Sequence, residues 1–199
     1  MQALLFEVMP RPGHEDHYFE RAAALRPILE QNAGLIFIDR FKSLARPGLI
    51  LSHSLWKDEA SLAKWRVDAK HQVAQKAGRN VHFADYRLRI AQVLSEAGGG
   101  EENAYNDPAL TAPRFVVIVE SSSEPFGSEG EGFSSVYRDD AFVTVVTVDS
   151  MKDGEEMVAA AAAAGHVGAA RLCLVSRDYG MFERDEAPQY FPAVASAAD

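Results

Sequence analysis

Two segments, Leu35-Ile-Phe-Ile-Asp-Arg-Phe41 and Leu49-Ile-Leu-Ser-His-Ser-Leu-Trp56, constrain the fold of this chain more than any other part of it. Arg46-Pro-Gly48 between them is a turn signal, so the two pair as a hairpin. Their openings, Leu35-Ile-Phe-Ile38 and Leu49-Ile-Leu51, leave little room for the apolar–polar alternation of a strand with one face in water. If helices cover one face of their sheet, the other face must meet a second sheet. That second sheet belongs either to another chain or to another part of this one.

Around the hairpin the first half reads β-α-β-β-α-β. Ala3–Val8 is a strand ended by Arg11-Pro-Gly13, and residues 15–31 form a helix with Tyr18, Ala22, Leu25 and Leu29 along one side. Pro27 lacks an amide proton and should kink that helix or end its regular part. Asp58 is the candidate N-cap of a second helix, which carries Trp65 and runs to the neighbourhood of Gly78. Phe83–Leu94 is the last strand.

Ser95 to Pro108 then has the composition of a connector, with three consecutive glycines and an Asn-Asp-Pro turn signal. The expected division is a unit over residues 1–94, a linker over 95–113, and a second unit over 114–199. In the second unit Phe115–Val119 is a strand, and residues 121–132 offer only Ser, Glu, Gly and Pro around Phe126 where a first helix would belong. Phe133–Tyr137 and Ala141–Val148 read as a hairpin, Met151 onward as an alanine-rich helix, and Arg171–Asp178 as a final strand. The order matches the first half with its first helix lost. This predicts an α+β fold of tandem ferredoxin-like repeats with antiparallel sheets, packed against each other within one chain.

Bulk properties exclude several function classes. With 47% hydrophobic and 25% charged residues, the chain reads as ordinary globular. Its net charge of −9 is uneven: residues up to Gly100 hold 14 Lys and Arg against 11 Asp and Glu, and the remainder 6 against 18. Neither half makes a basic surface that tracks phosphates, so nucleic acid is not an expected partner. The amino terminus lacks a basic n-region and no apolar run approaches about 18 residues, which gives a cytoplasmic expectation with no membrane partner. The single Cys173, in Leu172-Cys-Leu-Val175, is expected to be an inert core thiol. His14, Glu15 and His17 open a helix and are expected to be solvated, so no metal site is assigned.

The densest chemistry lies in Trp56-Lys-Asp-Glu-Ala-Ser-Leu-Ala-Lys-Trp65-Arg-Val-Asp-Ala-Lys-His71, followed by Gly78-Arg79 and Phe83-Ala-Asp-Tyr86. Large aromatics beside a titratable imidazole suit the wall of a pocket for a flat organic molecule. Together with Gly34–Leu44, Ser54–Glu59, Ala63–Arg66 and Phe83–Ala91, this passage resembles the antibiotic biosynthesis monooxygenase family. That resemblance implies a ferredoxin-like unit paired into a dimeric α+β barrel. Such relatives often continue with Arg-Asp-Tyr-Gly; here that segment, Arg177-Asp-Tyr-Gly180, stands at the end of the second half instead. The halves would then imitate the family's homodimer inside one chain, which is either monomeric or able to form a homodimer through its helices.

For activity, the resemblance implies a cofactor-free monooxygenase acting on a small aromatic compound, a phenol, quinol or polyketide type, together with dioxygen. The rival reading is a non-catalytic small-molecule or haem-binding module. As a base, His71 can exchange a proton near neutrality, but six residues place it about 120° from Trp65 on a regular helix. The two share a pocket only if the helix breaks between them. His53 and Tyr86 are the other candidate catalytic groups; Trp65, Phe37, Arg40 and Trp56 are the candidate substrate contacts. Trp65 is either a pocket wall or a core residue beside Leu62, Ala69 and Val73, and Trp56 is either a pocket wall or an anchor of the strand–helix turn. Haem-degrading relatives use an Asn on strand one, where Glu7 stands here. The second half is expected to be structural, with a role as a lid.

Overall fold

The computed structural model describes residues 1–97 and 114–188. Eight strands form one closed antiparallel barrel. They are β1 (Gln2–Pro10), β2 (Leu35–Ser43), β3 (Ile50–Trp56), β4 (Phe83–Glu96), β5 (Phe115–Ser122), β6 (Glu131–Ser135), β7 (Ala141–Val148) and β8 (Val167–Gly180). Around the barrel they run β1-β3-β2-β6-β7-β5-β8-β4. Within the first half the order is therefore β4-β1-β3-β2, and within the second β8-β5-β7-β6. The halves meet at two seams, β4 against β8 and β2 against β6.

Two facing sheets were the expectation from β2 and β3, and their inner faces do share a core. The edges, however, are not free: β4 and β8 are each 14 residues long and pair along much of that length. Closure removes the unpaired rows of N–H and C=O that open sheets expose. Leu5, Leu51, Leu55 and Val93 meet Val116, Ile118 and Val143 inside the barrel. Burial of each large aliphatic side chain stabilises the fold by roughly 1.5–3 kcal/mol. All seven residues of β3 are buried, which accounts for its apolar opening.

Helices α1 (Glu15–Leu29), α2 (Glu59–Arg66) and α3 (Ala69–Ala77) cover the outer face of the first half. α1 ends two residues after Pro27. The single helix expected from Asp58 to Gly78 is instead two. Val67 ends α2, and the Asp68 carboxylate starts α3 by accepting from the Lys70 and His71 amides, both at 3.0 Å. A short π-helical turn, Gly78–His82, then leads into β4.

In the second half, residues 123–130 between β5 and β6 carry no helix, as their composition implied. Helix α4 (Met151–Ala163) closes directly on the sheet, with Val158 and Ala161 against Val117, Val119, Leu172 and Leu174. The small alanine side chains allow that approach. Several boundaries move from their expected places: β4 extends to Glu96, which pairs with Arg171, β6 lies two residues earlier than Phe133–Tyr137, β5 runs on to Ser122, and β8 begins at Val167 rather than Arg171. Ser95 and Glu96 thus belong to a strand, and most of the expected linker lies outside the described residues. Among the described residues, no helix is long and apolar enough to cross a membrane.

Candidate functional site

Side chains alternate across each strand, so the first half's sheet sends one set into the barrel and the other toward the helices. Leu4 and Phe6 of β1, Ser52 and Ser54 of β3, and Leu88 and Ile90 of β4 form the floor of a cavity of about 220 Å³. Its roof comes from α1, α2 and α3, and one end is closed by Tyr179 at the end of β8 and Arg184 in the segment after it.

Trp65 and His71 line this cavity and stack, with ring centroids 4.2 Å apart and planes inclined by 14°. The break at Val67–Asp68 brings them together. His71 Nδ1 lies 2.9 Å from the Trp65 carbonyl oxygen. A carbonyl only accepts, so Nδ1 carries the proton and Nε2 keeps the basic lone pair. Burial depresses the His71 pKa below its ordinary value, against opposing contributions from that carbonyl and from Asp68. The imidazole is therefore neutral at pH 7. The surface position weighed for His71 gives way to a half-buried one because the helix ends at Val67.

Tyr86, Arg40 and Trp56 also line the cavity. Tyr86 Oη accepts from two guanidiniums, Arg79 Nη1 at 2.6 Å and Arg184 Nη1 at 2.8 Å. Arg79 is held by the π-helical turn, whose Gly78 lies against the Phe83 ring where any Cβ would collide. Arg40 is buried and faces the Tyr18 hydroxyl, as does Ser52; burial raises the Tyr18 pKa, and those two neighbours partly offset it. Trp56 is almost fully buried at the cavity end, with its indole N–H donating to Ser54 Oγ at 2.9 Å. It is thus both a wall and an anchor.

His53 and Phe37 do not line the cavity. Each lies on the opposite face of its strand from Ser52 or Ile38, and their rings meet at 5.6 Å. His53 is fully buried with Nε2 3.8 Å from Glu120 Oε1. Burial raises the Glu120 pKa, but His53 and Arg171 outweigh it and hold the carboxyl down at about 2. Glu7 likewise points inward, where Arg89 (2.5 Å) and Arg46 (2.8 Å) neutralise it. It does not stand in the cavity at all. Cys173 is buried, and burial pushes its thiol up to about 12.

The cavity lining absent from the expected set includes the polar side chains of Tyr18, Arg79, Tyr179 and Arg184. Tyr18 was legible as part of the apolar side of α1, and Arg79 stood in a quoted motif. Arg184 had only the displaced Arg177–Pro188 tail as a signal. His14, His17 and His82 gather at the mouth, with ring centroids 5.1–5.6 Å apart and His14 Nδ1 2.9 Å from His82 Nδ1. His17 is exposed, as expected for a solvated histidine, and His14 is half-buried. Among the described residues, no group of three or more His, Cys, Asp or Glu has an arrangement that could hold a metal ion.

A profile of the family described as antibiotic biosynthesis monooxygenase matches residues 1–77. Over 212 aligned residues the chain is 32% identical to jasmonate monooxygenase ABM of Pyricularia oryzae, covering 96% of this chain and 99% of that one. Among solved structures, PA3566 from Pseudomonas aeruginosa matches with 17% identity, 45% of this chain and 89% of that chain, at a TM-score of 0.40. An anthrone oxidase-like protein matches with 11% identity, 90% of this chain and 92% of that one, at a TM-score of 0.34. With a relative of that identity along nearly its whole length, this chain belongs to the antibiotic biosynthesis monooxygenase family.

Proposed function

We propose that this chain is a monooxygenase whose reaction takes place in the cavity of its first half, on a small ring compound such as a phenol, quinol or anthrone. The observation that carries this reading is the Trp65–His71 stack: an apolar cavity holding a neutral imidazole with a defined basic nitrogen. Small-molecule sites are commonly about 300–1,000 Å³, so a cavity of about 220 Å³ suits a compact ring.

In this reading Trp65 positions the ring by stacking and His71 Nε2 accepts a proton from an acidic C–H or O–H of the substrate. The resulting anion is the electron donor to dioxygen. For an anthrone-type CH2, the carbon loses two hydrogens and gains one oxygen atom, and the second oxygen leaves as water. The substrate supplies all four electrons that dioxygen takes up, so no separate reductant is needed. Arg40 and the Tyr86–Arg79–Arg184 group stabilise negative charge on the substrate oxygen.

The same reading makes the second half a copy of the first that lost its first helix and its cavity. The matching strand orders β4-β1-β3-β2 and β8-β5-β7-β6 support it, as does α4, which fills the space that the cavity occupies opposite. The copy serves the first half by closing the barrel and lending Tyr179 and Arg184.

Dioxygen uptake in the presence of anthrone, a quinol or jasmonate tests the proposal. Substrate-dependent uptake that is lost in His71→Gln is expected; ligands that bind across the panel without any uptake would remove it.

A further inference from the structure

The donor nitrogen of His71 meets a carbonyl rather than a carboxylate: Nδ1 lies 2.9 Å from the Trp65 oxygen, and among the described residues no Asp or Glu lines the cavity. A base that takes a proton becomes an imidazolium, and two features of the fold oppose that charge. One is burial, which is costly for an ion withdrawn from water. The other is position, since His71 stands in the first turn of α3, at the positive end of its dipole.

Three neighbours act in the opposite sense. The Trp65 carbonyl belongs to the negative end of α2 and accepts the Nδ1 proton. The Asp68 carboxylate lies where the two helices meet, with Oδ1 taken up by the Lys70 and His71 amides. The third is the indole of Trp65, inclined by 14° to the imidazole at a centroid separation of 4.2 Å. The elements around the pair bring His17 and Arg21 of α1, Arg66 of α2, Arg79 and His82 of the π-helical turn, and Tyr179 of β8 to the cavity wall. These are cations, imidazoles and a phenol, and none is a carboxylate.

A cation this close to an aromatic face is attracted by the ring quadrupole, most strongly over tryptophan and more so where water is excluded. A neutral imidazole gains far less from the same stack. The indole thus favours the charged form over the neutral one, and only an interaction that strengthens during the reaction speeds the chemical step.

We infer that Trp65 acts through His71: its indole face stabilises the imidazolium that forms when Nε2 takes the substrate proton, the part that a carboxylate plays in other histidine bases. The proton passes from a substrate C–H or O–H to Nε2, and the electron pair of the broken bond stays on the substrate. This role rests on the first-half cavity being the reaction site, and it deepens that reading by naming what supports the base. The stack depends on the break at Val67–Asp68, because a regular helix would set the two rings about 120° apart.

Titration of the His71 ring by NMR tests it, with no substrate or dioxygen present and the signal assigned through His71→Gln. In Trp65→Leu the ring should take up its proton about one pH unit lower than in the wild type. Lost packing alone would act the other way, because water entering beside a buried imidazole favours its charged form. Should Trp65→Leu not fold, mono- and difluorinated tryptophan in place of both tryptophans keep the shape of the stack and weaken the negative face of the ring. The titration should then fall stepwise with fluorination. A His71 titration that stays level across the fluorinated series, or that does not fall in a folded Trp65→Leu protein, would overturn the inference. A titration that falls in both, in a protein that takes up no dioxygen with any substrate of the panel, would uphold the stabilised imidazolium and remove the oxygenase reading alone.

Discussion

Trp65 and His71 stack at 4.2 Å although six residues separate them, because α2 ends between them and Asp68 starts a new helix. The stack is tied by the His71 Nδ1–H donated at 2.9 Å to the Trp65 carbonyl, which at the end of α2 also accepts from the Asp68 amide at 3.1 Å. One imidazole thus closes a helix and presents a base. Burial keeps His71 neutral below pH 6.5, its ordinary value. The rate should therefore stay level as pH falls to about 6.5 and decline only below it, as the imidazole takes up its proton. His71→Gln should lower kcat by roughly 10²–10⁴-fold and abolish that acid limb, as measured in a pH profile of dioxygen uptake.

Inside the barrel, Glu120 makes the second pH prediction. His53 and Arg171 hold its carboxyl at about 2 in the folded protein, against an ordinary value of 4.5. A depressed carboxylate stabilises the fold above its unfolded value and loses that contribution as pH falls toward the folded one. Stability should thus drop between about pH 4.5 and 2 by an amount on the order of 3 kcal/mol. In Glu120→Gln this part of the acid transition should be missing and the protein less stable at pH 7, as read from urea midpoints.

Gly34 sits where the start of β2 passes under the first turn of α2. A Cβ there would overlap the Ser61 side chain, which cannot retreat because its own Cβ is in the way. Gly34→Ala should cost roughly 1–3 kcal/mol, and Ser61→Gly alone roughly 0.5–1 kcal/mol. Combined, they should cost less than the sum of the two, which denaturant titration of the four proteins would measure.

Cys173 should be inert in the folded state. Its thiol is buried and its pKa is pushed up to about 12, so the reactive thiolate is scarce at pH 8. A disulfide reagent should label it only in denaturant, at the rate of unfolding. Rapid labelling of the native protein would show that the barrel interior opens.

The strands were legible because their signals are local. Apolar runs at β2, β3, β5 and β7, with turn residues between them, placed most of the barrel, and the polar stretch after β5 announced the missing helix. The break in the helix between Trp65 and His71 was harder to read. Apolar spacing runs through it unbroken, and only Asp68, an N-cap residue after a β-branched Val67, marked the restart. The site was half legible for a different reason. Trp65, His71, Tyr86, Arg40 and Trp56 converge, but His53 and Phe37 face the barrel because each lies one residue off the cavity-facing set. Closure of the barrel, which brings Arg184 to Tyr86 across 98 residues, is a long-range pairing that no local pattern encodes.

Filling the cavity tests its central role most directly. Ala74 of α3 lines it without touching the stacked pair's hydrogen bond, and Ala74→Trp would occupy the space where the substrate ring is placed. Substrate-dependent dioxygen uptake by this variant, compared with the wild type on the same panel, should fall more than about tenfold while circular dichroism is unchanged. Uptake that persists at the wild-type rate in a folded Ala74→Trp protein would contradict the assignment of the reaction to this cavity.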